Sequence, residues 1–259
     1  MTQCSPDTCL TIRFADKHAG TLQVFRAVEA LSETDWHLHT SSKAINSWGG
    51  PNAVREAVPG LSPVSDSRFE TIDLHIDHKR PTTGFKGFSR PLIFPEALMS
   101  KTDQLANFKD RTIGVSFLGL VTPSRKMLIR EWLESKTTRR LWRRTGPYGR
   151  AVIRGSTRGR SWPGKAFDSK YFRLMGASQY VLCPPGDHAW TYRALEAALC
   201  GAIPVVTESL PLYESLITAS WDEDRPNPQW TSSVALQNRE AAQALLVPGA
   251  STLSEALAT

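Results

Sequence analysis

Arg193 and Glu196 stand three positions apart in TYRALEAALCG, a spacing that turns both side chains to one side of a helix. Arginine offers a planar, multi-donor cation suited to phosphate oxygens, and glutamate accepts hydrogen bonds from sugar hydroxyls. Upstream, Pro185 and Gly186 close an apolar run, so a glycine-containing loop leads into the helix start. A helix start presents unpaired backbone N–H groups and the positive end of the macrodipole, and both attract an anion. The same residues have a plainer reading, in which Arg193 and Glu196 form a surface ion pair on a helix that merely packs against a sheet. The local pattern leaves both readings open.

The elements that position these groups can be read on either side of them. Tyr180, Val181, Leu182 and Cys183 form the short apolar run expected of a buried parallel strand. Pro184, Pro185 and Gly186 stop it, and Asp187 is placed to cap a helix starting at His188 or Ala189. Tyr192, Leu195 and Leu199 recur at helical spacing and are expected to face the sheet, with Arg193 and Glu196 on the other, non-apolar face. Gly201 fits the left-handed position past the helix end, and Ile203, Val205 and Val206 supply the next strand. Two strands joined by one helix are expected to be parallel, a βαβ unit.

The segment SQYVLCPPG…TYRALEAALCGAIPVV resembles the donor-binding segment of exostosin-like glycosyltransferases: an apolar strand, Pro-x-Gly, then Arg-x-x-Glu-Ala and a small residue before x-Pro-Val. Upstream, TIGVSFLGLVTPSRKMLIREWL is similar to that family's Phe-x-Gly strand, loop and helix-opening arginine. The two matches follow in the family's order and bracket Arg111 to Leu212. The resemblance implies an α/β protein of the GT-B kind, with two Rossmann-like domains, the first small or trimmed. Residues 1–95 would be that small domain on the acceptor side, and residues 96–259 the nucleotide-sugar domain. It implies an inverting, metal-independent transfer from a nucleotide-diphosphate sugar to a glycan, lipid-linked or protein acceptor. Gly119, Arg125, Pro185, Gly186, Arg193 and Glu196 would bind the donor, with Glu196 on the ribose. His18 and its neighbour Asp16 follow the first strand, where such enzymes place the base, although both are equally readable as exposed loop residues. Asp187 departs from the pattern, because a carboxylate at the helix start repels a diphosphate unless it turns aside as a cap.

Composition is compatible with this reading. The chain has 259 residues, 41% of them hydrophobic and 9% aromatic, enough for a substantial core. No window approaches the 18 consecutive apolar residues of a membrane span, and the first residues lack a basic and apolar leader. Four cysteines, two of them inside apolar runs, do not make a disulfide framework, so a cytoplasmic setting is expected, with peripheral membrane contact left open. His37, His39, His75 and His78 have no Cys or carboxylate company at metal-binding spacing, so neither a metal nor a cofactor is expected.

The net charge of +6 is concentrated. Between Arg139 and Arg160 lie eight arginines and no Asp or Glu, with Trp142 and Tyr148 interleaved and Trp162 just beyond. Guanidinium groups on phosphates with aromatics free to stack would describe a nucleic-acid footprint, which makes a basic nucleic-acid-binding protein the rival reading. An inactive relative of the glycosyltransferases is another. The position of the run between the two motifs favours one or two arginines at a nucleotide pocket and the rest on the surface, with no specific nucleic acid bound.

Elsewhere, strands are expected over Thr8–Phe14, Trp36–Thr40 and Glu70–Ile76, and a helix over Thr21–Leu31. Asp77 to Arg90, polar and basic, reads as a loop. Beyond it, a strand over Ile113–Phe117, a helix over Ser124–Leu133, a strand at Ala151–Ile153, a short helix from Phe167 to Met175 and helices between Asn238 and Leu257 are expected.

Overall fold

Alternation and helical periodicity resolve into two compact units, one formed by residues 1–98, 159–166 and 247–259 and the other by residues 99–158 and 167–246. A computed structural model describes residues 11–14, 37–39, 71–77, 82–85, 88–90, 94, 96–119, 121–140, 143–155, 167–186 and 189–246.

The first unit contains a five-stranded sheet ordered β2-β1-β3-β4-β5. Its strands are β1 (Thr11–Phe14), β2 (His37–His39), β3 (Thr71–Asp77), β4 (Thr82–Phe85) and β5 (Phe88–Arg90). β1 lies parallel to both β2 and β3, with Ile12 in register with Leu38 and Ile72. The antiparallel succession β3-β4-β5 corrects the loop expected over Asp77 to Arg90. Thr82, Thr83, Phe85 and Phe88 are strand formers, and only Lys86 and Gly87 separate the paired Phe85 and Phe88, which is hairpin spacing. The basic residues around them masked that signal. The helix expected over Thr21–Leu31 lies outside the described residues, as do Asp16 and His18.

The second unit is built on a seven-stranded mixed sheet ordered β12-β11-β10-β6-β9-β8-β7. Five strands run parallel: β6 (Ile113–Gly119), β9 (Gly149–Gly155), β10 (Ser178–Cys183), β11 (Ile203–Val206) and β12 (Ala219–Ser220). β7 (Thr138–Arg140) and β8 (Arg143–Gly146) add an antiparallel flank beside β9. The central strands are buried nearly throughout, as their unbroken apolar runs require.

Five helices complete the described residues: α1 (Glu96–Leu105), α2 (Pro123–Lys136), α3 (Ser169–Gly176), α4 (Tyr192–Leu199) and α5 (Ser232–Leu246). Helix α2 starts on Thr122, whose hydroxyl accepts from the Arg125 amide, with Pro123 in the first helical position, where its missing N–H costs nothing. Its Ile129, Trp132 and Leu133 repeat at i, i+3 and i+4 and bury against Val115, Phe117 and Tyr180. Helix α3 is capped by Asp168, whose carboxylate accepts from the Lys170 and Tyr171 amides. Helix α4 packs between α5 and strand β11. Buried Asn238 fastens α5 to the sheet by accepting from Ile217 N–H at 2.7 Å and donating to the carbonyls of Ala202 and Ile217.

Candidate functional site at the carboxyl edge of the second sheet

The order of the parallel strands decides where a crevice can open. From β6 the chain passes through α2 to β9 on one side, and from β10 it passes through α4 to β11 on the other. Adjacent β6 and β10 therefore form a topological switch point, where the loops leaving their carboxyl ends diverge. Gly119 ends β6, and Pro185 and Gly186 follow the end of β10. Arg125 sits in the first turn of α2 and Arg193 in the first turn of α4.

Arg193 reaches across this edge. It is 7% exposed, its guanidinium lies 4.4 Å above the ring of Phe117, and Nη2 donates to the Leu118 carbonyl at a long 3.4 Å. Nε and Nη1 are buried without a hydrogen-bond partner among the described residues. The path exists because Gly119 has no side chain: a Cβ there would stand 2.1 Å from Arg193 Nη2. The aromatic face offsets part of the desolvation cost of the cation, about 1–2 kcal/mol, and unmade bonds to a charged donor cost more than that. This is an electropositive centre whose hydrogen bonding is incomplete among the described residues.

Arg125 approaches the same edge from the other helix. Its Nε donates to the Pro185 carbonyl at 2.9 Å, and a Cβ at Gly186 would lie 2.6 Å from its Nη2. Each glycine thus lies under the arginine that belongs to the opposite strand's helix. The structure brings together Gly119, Arg125, Pro185, Gly186 and Arg193 of the residues expected from sequence.

Glu196 lies in different surroundings. The expectation that it shares a non-apolar face with Arg193 is corrected, because every residue from Arg193 to Leu199 is buried and Glu196 is 0% exposed. Sandwiched between α5 and β11, helix α4 has no outward face, which a single-stripe reading does not anticipate. The Glu196 carboxylate accepts from the Tyr171 hydroxyl at 2.8 Å and so ties α4 to α3. With Arg193 also buried, the two residues do not lie on the surface, as the plainer reading had them. Cys183, a free thiol at the end of β10, is pushed up to about 12 by burial, with Arg193 pulling it down and Glu196 pushing it further up.

The helix start is corrected as well. The cap is Thr191 and not Asp187: Thr191 is extended, and its hydroxyl accepts from the Arg193 amide at 3.4 Å. The Thr191 amide itself donates to the Tyr213 hydroxyl at 2.8 Å, and Trp190 packs edge-on to Tyr192 at 4.7 Å. These tertiary contacts, with Tyr213 arriving on a 3-10 turn (Pro211–Tyr213), delay the helix by four residues relative to a start at His188. Asp187 and His188 lie outside the described residues. Thr191, Tyr171 and Tyr213 were not singled out from sequence, whereas Phe117 is the Phe of the Phe-x-Gly strand; of the three, only Thr191, a residue type that caps helices, carried a usable signal.

Within the arginine-rich stretch, the described residues separate an aromatic that is buried from arginines that are exposed. Tyr148, expected among stacking aromatics, is 1% exposed and packs at 5.0 Å from Trp132 and 5.3 Å from Tyr180. Its hydroxyl donates toward the carbonyls of Glu223 and Arg225. Arg150 and Arg154 are exposed, whereas Trp142, Arg158, Arg160 and Trp162 lie outside the described residues.

Among the described residues, no group of three or more His, Cys, Asp or Glu gathers as a metal site, and no helix is long and apolar enough to cross a membrane. Comparison with protein-family models, curated proteins and solved structures finds no match to this chain.

Proposed function

We propose that this protein is a glycosyltransferase that moves a sugar from a nucleotide-diphosphate sugar to an acceptor hydroxyl, inverting and metal-independent, in a GT-B arrangement and at a cytoplasmic address. The observation that carries the reading is the buried, incompletely bonded guanidinium of Arg193 at the switch point between β6 and β10. A diphosphate there would receive hydrogen bonds from Arg193, charge from Arg125 and the dipole of α4.

In the proposed reaction a base takes the proton of the acceptor hydroxyl, and the oxygen attacks the anomeric carbon. The bond from that carbon to the diphosphate oxygen breaks, leaving the charge on the nucleoside diphosphate. Donors aimed at that developing charge lower the barrier, because they are already oriented in a site shielded from water. Arg193 and Arg125 fill this role, and Glu196 contributes by holding α4 against α3. His18 and Asp16 remain the base candidates by their place after β1.

The test is a thermal-shift and calorimetric screen of UDP, GDP, ADP and dTDP and their sugars, with and without EDTA. One nucleoside diphosphate is expected to stabilise the protein in the presence of EDTA, by roughly 2.7 kcal/mol at about 100 times its Kd. Equal, weak responses to all nucleotides and to sulfate would overturn the reading.

A further inference from the structure

In a doubly wound sheet, the loop after the first strand and the helix behind it take phosphates. A carboxylate at the end of the second strand, about 20 residues beyond the glycines, takes a ribose hydroxyl. The neighbours β12-β11-β10-β6 stand in the spatial order 3-2-1-4 of such a sheet, with β10, α4 and β11 as first strand, helix and second strand. Cys183 at the end of β10 is in parallel register with Val206 at the end of β11, so the chain leaves both strands side by side. Thr207, Glu208 and Ser209 follow β11, and Glu208 and Ser209 are exposed. Glu208 comes 22 positions after Gly186 (208 − 186). It also stands close to the start of α4. Burial chiefly pushes the Tyr213 phenol up, and the Glu208 carboxylate adds to the rise, so its charge is felt at that hydroxyl. The same hydroxyl accepts from the amide of Thr191, the cap of α4. Glu196, by contrast, is buried, and its carboxylate accepts from the Tyr171 hydroxyl.

We propose that Glu208 binds the ribose of the nucleotide and selects ribonucleotides over their 2′-deoxy forms, an inference that rests on the nucleotide-sugar reading. An ionised carboxylate repels a diphosphate but accepts from hydroxyls, and its two oxygens suit the two adjacent hydroxyls of a ribose. Arg193 and Arg125 draw the phosphates to the ends of β6 and β10. An exposed glutamate one strand further along, about 4.8 Å, meets the uncharged sugar bonded to them. Without the 2′-hydroxyl, one carboxylate oxygen loses its donor. A glutamate that were only a solvated surface charge would instead weaken the binding of every nucleotide alike.

The experiment is calorimetry of the full chain with UDP, GDP and ADP, each beside its 2′-deoxy form, in EDTA. The ribonucleotide that binds is expected to do so about 10-fold more tightly than its 2′-deoxy form, the effect of one hydrogen bond to a charged group. In Glu208→Ala that ratio should fall to near one, with circular dichroism and Tm unchanged. Glu208→Gln should give an intermediate ratio. A ratio near one in the parent, or one that survives in folded Glu208→Ala, would overturn the role of Glu208 and leave the nucleotide-sugar reading standing. So would an equal gain in affinity for both forms in Glu208→Ala, which is the effect of removing a merely repulsive charge. If no nucleoside diphosphate binds the parent chain, the nucleotide-sugar reading fails, and the role of Glu208 with it.

Discussion

At the carboxyl end of helix α4, Arg111 donates from Nη1 to the carbonyls of Met175 and Ser178 and from Nη2 to that of Cys200, at 2.6–3.0 Å. At the amino end of the same helix, Arg193 donates to one carbonyl at 3.4 Å. Both guanidinium groups are buried, at 8% and 7% exposed, and both lie against aromatic rings: Phe108 and Trp230 for Arg111, Phe117 for Arg193. Burial pulls Arg111 down to about 10, which leaves it charged at neutral pH. The cation of Arg111 also sits where helix C-terminal carbonyls make the potential negative, whereas Arg193 adds positive charge to a helix start that is positive already. Among the described residues Arg111 leaves only Nε without a partner and clamps three carbonyls, whereas Arg193 leaves Nε and Nη1 without one and makes a single long bond. Burial of charge is alike at the two ends; the number of satisfied donors is what differs.

The comparison breaks most visibly at Arg111. Arg111→Met removes the guanidinium bonds to three carbonyls, and the expected loss is about 3 kcal/mol or more, roughly 10 °C in Tm by differential scanning calorimetry. A loss under about 3 °C would mean that the clamp is not structural. Arg193→Met is expected to leave Tm unchanged or slightly raised, since an under-bonded buried cation is replaced by an apolar chain of similar length. Its affinity for the nucleoside diphosphate selected by the screen should fall about 10- to 100-fold in calorimetry. If Tm falls as far as in Arg111→Met, the two arginines do the same job and the contrast is lost.

Much of this contrast was legible beforehand at one end only. The strand–helix–strand unit from Ser178 to Val206, the parallel pairing of β10 with β11 and the left-handed Gly201 follow from apolar runs, proline and glycine, and the structure has them. The convergence of Arg125 and Arg193 on one edge follows because each opens a helix after a parallel strand. The environment of Glu196 was not legible, because helical spacing shows which residues share a side and not whether a second layer covers that side. Arg111 had no local signature at all, since its acceptors are 64 to 89 positions away. The hairpin β4–β5 was hidden by its own polarity, and the cap at Thr191 is selected by a tyrosine 22 positions later.

Two glycines sharpen the comparison at lower cost. Gly119→Ala should displace Arg193, because the new Cβ would stand 2.1 Å from Nη2. Nucleotide affinity should fall about 10-fold with less than ~1 kcal/mol lost in stability, since the far end of a flexible side chain can move aside. Gly201→Ala should do the reverse. At φ +70° and with a Cβ 2.6 Å from the Phe108 ring, it is expected to cost about 1–2 kcal/mol by urea denaturation and leave nucleotide binding intact. Equal effects of both substitutions on binding would count against an edge-specific role for Gly119.

The smallest effect is alkaline. Cys183 is raised from 9.0 to about 12, and Tyr148 from 10.0 to about 12, both chiefly by burial. A raised folded pKa contributes stability that is whole below the unfolded pKa and is lost as pH rises through the folded one. Stability should therefore decline from about pH 9 toward pH 12, by up to about 1.4 kcal/mol per pH unit for each group. Cys183→Ala should move the onset of the decline toward pH 10, which urea midpoints at pH 8, 9, 10 and 11 would show. A flat profile through pH 11 in the parent chain would contradict it.

The rims of the seven-stranded sheet bear on a different property. An open sheet ends in strands whose outer N–H and C=O groups invite another chain to add itself, the usual route to aggregation. Here β12 is only two residues long, too short to template a new strand. β7 is a longer invitation, with arginines at two of its three positions. An identical strand added along β7 would carry the same two arginines, and like charge on an edge strand is a standing defence against self-addition.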